Sequence, residues 1–216
     1  MKPGLTNNQL KLIAMITMTL DHIGVFMPQY PLLRILGRLA FPVFAYMIAE
    51  GCTHTRDIWR YFRSVAVMAL LCQIVQYIAT GSLYMGILVA FSLSILLVAL
   101  LQQKLWGAAL AALLGTFLIC TIPVPGTDFQ VDYGFIGVLT PVAVYWMRSH
   151  WGKLLACAVM LCALALCVGG VQWYALLALP LLLAYNGQRG KWNLKNLFYW
   201  YYPAHIAVIY GIFFFL

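Results

Sequence analysis

Apolar runs long enough to cross a bilayer follow one another along this chain with little between them. A membrane-crossing helix needs about 20 consecutive, mostly apolar residues. By that ruler the runs fall at residues 10–27, 33–50, 60–80, 84–101, 105–123, 133–147, 153–169, 171–185 and 197–216. The 133–147 and 171–185 runs are short, and only Thr80-Gly81-Ser82 separates the third run from the fourth. A count one lower or one higher would therefore also fit. No polar stretch is long enough to form a soluble domain. Charged residues make up 8% of the chain, where a soluble domain would carry about a quarter. The expectation is an all-α, polytopic integral membrane bundle of about nine transmembrane helices, forming one domain over residues 1–216.

A net charge of +8 can point to nucleic acid, but here the charges sit in short loops between apolar runs. Membrane orientation explains them better, so the expected partner is the lipid bilayer and no nucleic acid. Cys52, Cys72, Cys120, Cys157, Cys162 and Cys167 lie in or beside apolar runs without CxxC spacing, and read as small lipid-compatible residues. The first run contains Asp21-His22 and lacks a small-x-small cleavage site, so no cleavable signal peptide is expected.

Basic residues set the orientation. Lys2 and Lys11 stand at the first run, and Arg56, Arg60 and Arg63 between the second and third. Lys104, then Arg148 and Lys153, then Arg189, Lys191 and Lys195 mark every later even-to-odd loop. The positive-inside rule puts these loops and the N-terminus in the cytoplasm and the C-terminus outside. Arg34 and Arg38 break the pattern, which makes them candidates for function.

Asp21 and His22 put a carboxylate beside an imidazole inside the first run. A charge at bilayer depth costs at least a few kcal/mol, so such groups face a cavity or a partner. The pair points to proton transfer, in either a transport cycle or a group-transfer reaction. Lys11 precedes His22 by about three helical turns, on one face and about 16 Å apart. Lys11 alternatively snorkels, and His22 alternatively makes a structural interhelical hydrogen bond. Arg34 and Arg38, at i and i+4, share a face that would bind lipid phosphate, pair with Asp21 or orient a substrate. Pro42 should kink or break the second run, and Glu50 at its end would pair with Arg56 or Arg60.

Arg56, Arg60 and Arg63 form a basic stripe for lipid headgroups or for the phosphates of a nucleotide-like cofactor. The loop Tyr185-Asn186-Gly187-Gln188-Arg189-Gly190-Lys191 offers the same choice, without a Walker or dinucleotide motif. His205 follows Pro203 and an aromatic cluster that includes Tyr202; it is either functional or a buried hydrogen-bonding group. Asp132-Tyr133-Gly134 opens the sixth run from outside. No metal site is expected, because His22 and His205 have no third ligand in the apolar runs.

Together these motifs resemble the TraX family, the F-pilin acetylation proteins and their chromosomal relatives. The resemblance rests on Lys11-Leu12-Ile13-Ala14-Met15, Leu20-Asp21-His22-Ile23-Gly24 and Gly37-Arg38-Leu39-Ala40-Phe41-Pro42-Val43-Phe44-Ala45. It continues through Glu50-Gly51, Asp132-Tyr133-Gly134-Phe135-Ile136-Gly137, Tyr185-Asn186-Gly187-Gln188-Arg189-Gly190, and Phe198-Tyr199 to Tyr202-Pro203-Ala204-His205. A basic residue, ten intervening residues and then His also looks like membrane acyltransferases that modify surface polysaccharides, with Lys11 where those have Arg.

The resemblance implies a bacterial inner-membrane acetyltransferase using acetyl-CoA. Lys11, Arg56, Arg60, Asn186 and Arg189 would hold the donor. His22, oriented by Asp21, would act as general base, or form an acetyl-His intermediate. Arg38 and His205 would stabilise the oxyanion or position the acceptor, with Arg34 and Tyr202 beside them. The acceptor stays open: a protein N-terminus, as in pilin, a glycan or a small molecule. The rival class is a proton-coupled transporter or flippase with Asp21, His22 and Arg38 as relay. Inverted repeats would favour it, and none is evident in the sequence. An assembly scaffold would explain neither the buried charges nor their pairing.

Overall fold

Helix α1 (Asn7–Phe26) begins where the sequence writes a capping box. The Thr6 hydroxyl accepts from the Gln9 amide, and the Gln9 carboxamide accepts from the Thr6 amide at 2.8 Å. The computed structural model describes residues 3–191 and 195–215, without the side chains of 195, 196, 198, 199, 214 and 215. Lys2 and the side chains of Lys195, Phe198 and Tyr199 thus lie outside the described residues. Among those residues the fold is all helical, with two isolated bridges, Leu5 to Tyr185 and Met85 to Val131. After α1 come α2 (Pro31–Gly37), α3 (Ala40–His54), α4 (Ile58–Thr80), α5 (Ile87–Gln102), α6 (Trp106–Thr121), α7 (Gly134–Trp146) and α8 (His150–Val168). A 3₁₀ helix (Gly170–Ala178), α9 (Leu179–Leu183) and α10 (Lys195–Phe215) follow.

Each apolar run coincides with a helical segment, with α2 and α3 sharing the second run and the 3₁₀ helix and α9 the eighth. Among the described residues, four of these segments are long and apolar enough to cross a membrane: α1, α2 with α3, α4, and α8. The nine-span expectation is narrowed by helix length. A 16-residue helix such as α5 or α6 reaches about 24 Å at 1.5 Å per residue, short of a hydrocarbon core of about 30 Å.

The second run breaks earlier than Pro42. Its interruption falls between Gly37 and Ala40, and Pro42 lies in the first turn of α3, where its missing N–H costs no helical bond. The eighth run tightens into a 3₁₀ helix after Gly169 and Gly170, whose φ of +74° and +54° suit glycine.

The chain divides into two compact units, Met1–Met47 with Leu161–Leu216, and Ile48–Met160. In the first unit α1 packs on α2 and α10, and α2 on the 3₁₀ helix. In the second, α5 is the central helix, touching α4, α6 and α7. Its buried residues run around its whole circumference, from Ile87 through Ser94 to Leu100. The Ser94 hydroxyl donates to the Val138 carbonyl at 2.7 Å and ties α5 to α7.

Glu50 does not pair with Arg56 or Arg60. Its carboxylate pairs with Lys153, with side chains 8% and 12% exposed, and its other oxygen lies 3.8 Å from His54. Arg56 and Arg60 are exposed at the start of α4, where Asp57 caps the helix by accepting from the Arg60 amide. At the opposite end of α4, the Asp128 carboxylate accepts from the Ser82 hydroxyl and from the Leu83 amide. Those two bonds hold its pKa below the usual carboxylate range.

Candidate active site

All side chains of this site belong to the first unit. α1 carries Asp21 and His22, which point to different neighbours because successive helical residues lie about 100° apart. The Asp21 carboxylate faces α2: Oδ2 is 2.9 Å from Arg34 Nη1 and also pairs with Arg38 Nη2. Arg34 Nη1 further donates to the Asp21 backbone carbonyl at 3.1 Å. Glycines permit this approach. A Cβ on Gly37 would lie 2.3 Å from Asp21 Oδ1, and one on Gly24 would lie 2.9 Å from Arg34 Cδ.

Arg38 reaches a third element. Its Nη1 donates to Gln172 Oε1 at 3.4 Å, so one guanidinium joins α1, α2 and the 3₁₀ helix. Two arginines face one carboxylate, and the cluster carries a net positive charge. Asp21 Oδ1 and Gln172 Nε2 are buried without a hydrogen-bond partner among the described residues.

His22 faces α10 instead. Its Nδ1 donates to the Met18 carbonyl at 2.8 Å. A carbonyl only accepts, so the neutral ring carries its proton on Nδ1 and its lone pair on Nε2. The orientation of His22 comes from its own helix, not from Asp21, whose carboxylate is taken by the arginines. His205 meets His22 edge to face, with ring centroids 5.0 Å apart and planes at 82°.

His205 is 7% exposed and is fixed in the same way: Nδ1 donates to the Tyr201 carbonyl at 2.9 Å, and Nε2 is buried without a partner among the described residues. Tyr201 stacks on it at 5.0 Å and 8°, while Tyr202 meets it edge-on at 5.3 Å. The Tyr201 hydroxyl donates to the Met15 carbonyl at 3.0 Å and hydrogen-bonds Thr19 on α1. Two imidazoles, each with Nδ1 tied down, thus adjoin an ion cluster one residue away along α1. Gln172, Thr19 and Tyr201 were not singled out from the sequence. For Gln172 a signal existed, a lone carboxamide inside an apolar run.

At the other end of α1, the loop 184–190 wraps the helix start. Leu5 N donates to Ala184 O at 2.7 Å, Asn7 N to Gln188 O at 2.8 Å, and Asn186 N to Leu5 O at 2.9 Å. The Asn186 carboxamide donates to Gly4 O at 3.2 Å and accepts from the Gln188 amide at 2.9 Å. Gly190, at φ +94°, packs on Thr6 and Asn8. Arg189 is exposed and close enough to Lys11 for their charges to repel. The structure thus gathers Lys11, Asn186 and Arg189 at one end of α1, while Arg56 and Arg60 belong to the second unit.

Apart from Gly4 and Leu5, the arrangement lies within the segment matched by one family model, TraX protein, over residues 6–213. The chain belongs to the TraX family. Among similar proteins, the "Probable fimbrial assembly protein FimC, serogroup H1" of Dichelobacter nodosus is 26% identical, and the match covers 93% of each chain. An uncharacterized protein of Rickettsia prowazekii (strain Madrid E) is 50% identical over 44 residues, 19% of this chain and 18% of its own. No solved structure matches.

Proposed function

We propose that this TraX-family chain is an integral-membrane acetyltransferase of the bacterial inner membrane, moving acetyl from cytoplasmic acetyl-CoA to an amine or hydroxyl acceptor. Its helical segments thread the bilayer as one domain with the N-terminus inside and the C-terminus outside. The observation that carries this reading is the tautomer of His22. With Nδ1 bonded to the Met18 carbonyl, Nε2 is free to take the acceptor's proton as nucleophilic attack proceeds. His205, with its own Nδ1 occupied and Nε2 unpartnered, accepts from the acceptor and holds it against His22.

Acetyl-CoA, the acyl donor, supplies a thioester carbonyl and three phosphate groups. Lys11 and Arg189 fit the phosphates, because two cations held close enough to repel are stabilised by an anion between them. Asn186 shapes their loop, and Arg56 and Arg60 extend the basic surface. Asp21 keeps Arg34 and Arg38 in place; Arg34 and Tyr202 line the acceptor's approach. The name of the Dichelobacter relative, a probable fimbrial assembly protein, agrees with a protein acceptor.

The test is transfer from acetyl-CoA by purified protein in detergent. His22→Ala should cut thioester turnover by about 10²–10⁴-fold while leaving the melting temperature close to wild type. Well-folded wild type that neither binds nor cleaves acetyl-CoA would overturn the enzyme reading in favour of the proton-coupled transporter.

A further inference from the structure

Gln172 is 2% exposed, lies two residues into the 3₁₀ helix, and is the one carboxamide in the apolar run that follows α8. Its Oε1 accepts from Arg38 Nη1. That bond fixes the flip of the amide, since the reverse orientation would set a donor against a donor. Nε2 is therefore committed as an N–H donor, yet it is buried without a partner among the described residues. Buried donors in native structures are nearly always satisfied, so an unpartnered one points to a group that arrives later.

The needs of the chemistry meet this vacancy. Acyl transfer needs donors on the oxygen that gains charge. His205 cannot supply one as a neutral ring, because its only N–H goes to the Tyr201 carbonyl. The expectation that His205 steadies the oxyanion thus gives way to a role as acceptor.

We infer that Gln172 donates from Nε2 to an oxygen of the reacting acyl group, beside Arg38, and is a substrate-binding residue of the site. The inference rests on the acetyltransferase reading. As the acceptor's nitrogen or oxygen bonds to the carbonyl carbon, its proton passes to His22 Nε2 and the C=O electron pair moves onto oxygen. Gln172 and Arg38 hold that oxyanion. Its collapse re-forms C=O and breaks the C–S bond, and the leaving thiolate takes the proton from His22.

Two variants separate this role from mere support of Arg38. Gln172→Met removes both functions of the carboxamide, whereas Gln172→Glu keeps an oxygen for Arg38 and removes the donor. Both should lower kcat by about 10²–10³-fold, with KM for acetyl-CoA changed by less than about threefold. A second readout needs no turnover: isotope-edited infrared of acetyl-CoA labelled with ¹³C at the carbonyl, bound to His22→Ala protein. The carbonyl stretch should be lowered relative to free donor and should return toward the free value when Gln172→Met is added. Wild-type kcat in Gln172→Glu, or an unchanged stretch in the double variant, would reduce Gln172 to a partner of Arg38 and an ordered water, and overturn the inference alone. Absence of acetyl-CoA binding and turnover in wild type would instead remove the acetyltransferase reading, and this inference with it.

Discussion

Each unit of the molecule buries an acid against a base, and the two pairs are built differently. In the second unit Glu50 meets a single lysine, Lys153, with His54 3.8 Å from its other oxygen, and among the described residues none of the Glu50 or Lys153 side-chain atoms is buried without a partner. In the first unit Asp21 faces two arginines, and Asp21 Oδ1, Gln172 Nε2 and His205 Nε2 are all buried without a partner among the described residues. A closed, neutral pair has no capacity left for chemistry. A cluster with surplus charge, orphaned polar atoms and two imidazoles of fixed tautomer has the form expected of a reactive site.

The comparison can be broken most forcefully at the closed pair. Glu50→Leu leaves Lys153 buried without a counter-charge and should cost about 3–5 kcal/mol of stability. Glu50→Leu with Lys153→Met should recover most of that loss, because an apolar pair of similar volume replaces both charges. Denaturation midpoints in detergent check both, and a double variant no more stable than the single would mean that Glu50 does more than pair. Next in size is Gly37→Ala. Its Cβ would meet Asp21 Oδ1 at 2.3 Å, so α1 and α2 must part, at about 1–3 kcal/mol. Gly24→Ala should cost less, since its nearest contact is the flexible arm of Arg34. Equal losses at the two glycines would argue against the close approach of α2 to Asp21.

The smallest effect concerns Asp128. Its pKa is held low by Ser82 and Leu83, so it stabilises the loops 81–83 and 126–128 at pH values above the ordinary carboxylate range. That stabilisation fades as pH falls through the lowered value. Protection of the Leu83 amide, measured against its intrinsic exchange rate at each pH, should therefore fall in acid, and Asp128→Asn should lower it at neutral pH. No difference between variant and wild type would remove the contribution.

The sequence marked the Asp21 cluster better than the Glu50–Lys153 pair. Asp21, His22 and His205 stood out because polar residues deep in apolar runs demand a reason, and Arg34 and Arg38 because they break the charge pattern of the loops. The partner of Glu50 was not legible, since Lys153 lies in another helix far along the chain, while Arg56 and Arg60 follow Glu50 closely in sequence. The role expected for Asp21 failed on helix geometry: a neighbour in sequence points elsewhere, and the Met18 carbonyl one turn back orients His22 instead. Gln172 escaped notice because a single carboxamide in a short apolar run reads as tolerated polarity until its unpartnered nitrogen is seen. Helical segments were legible from apolar runs and their breakers, but the early break at Gly37 was not, because Pro42 looked like the stronger signal.

Thioester cleavage of acetyl-CoA by three purified proteins, wild type, His22→Ala and the double variant Glu50→Leu/Lys153→Met, tests the central claim most directly. The account predicts cleavage by wild type, its loss in His22→Ala, and its survival per folded molecule in the double variant. Cleavage that persists without His22, or vanishes with the Glu50–Lys153 pair while the protein remains folded, would contradict it.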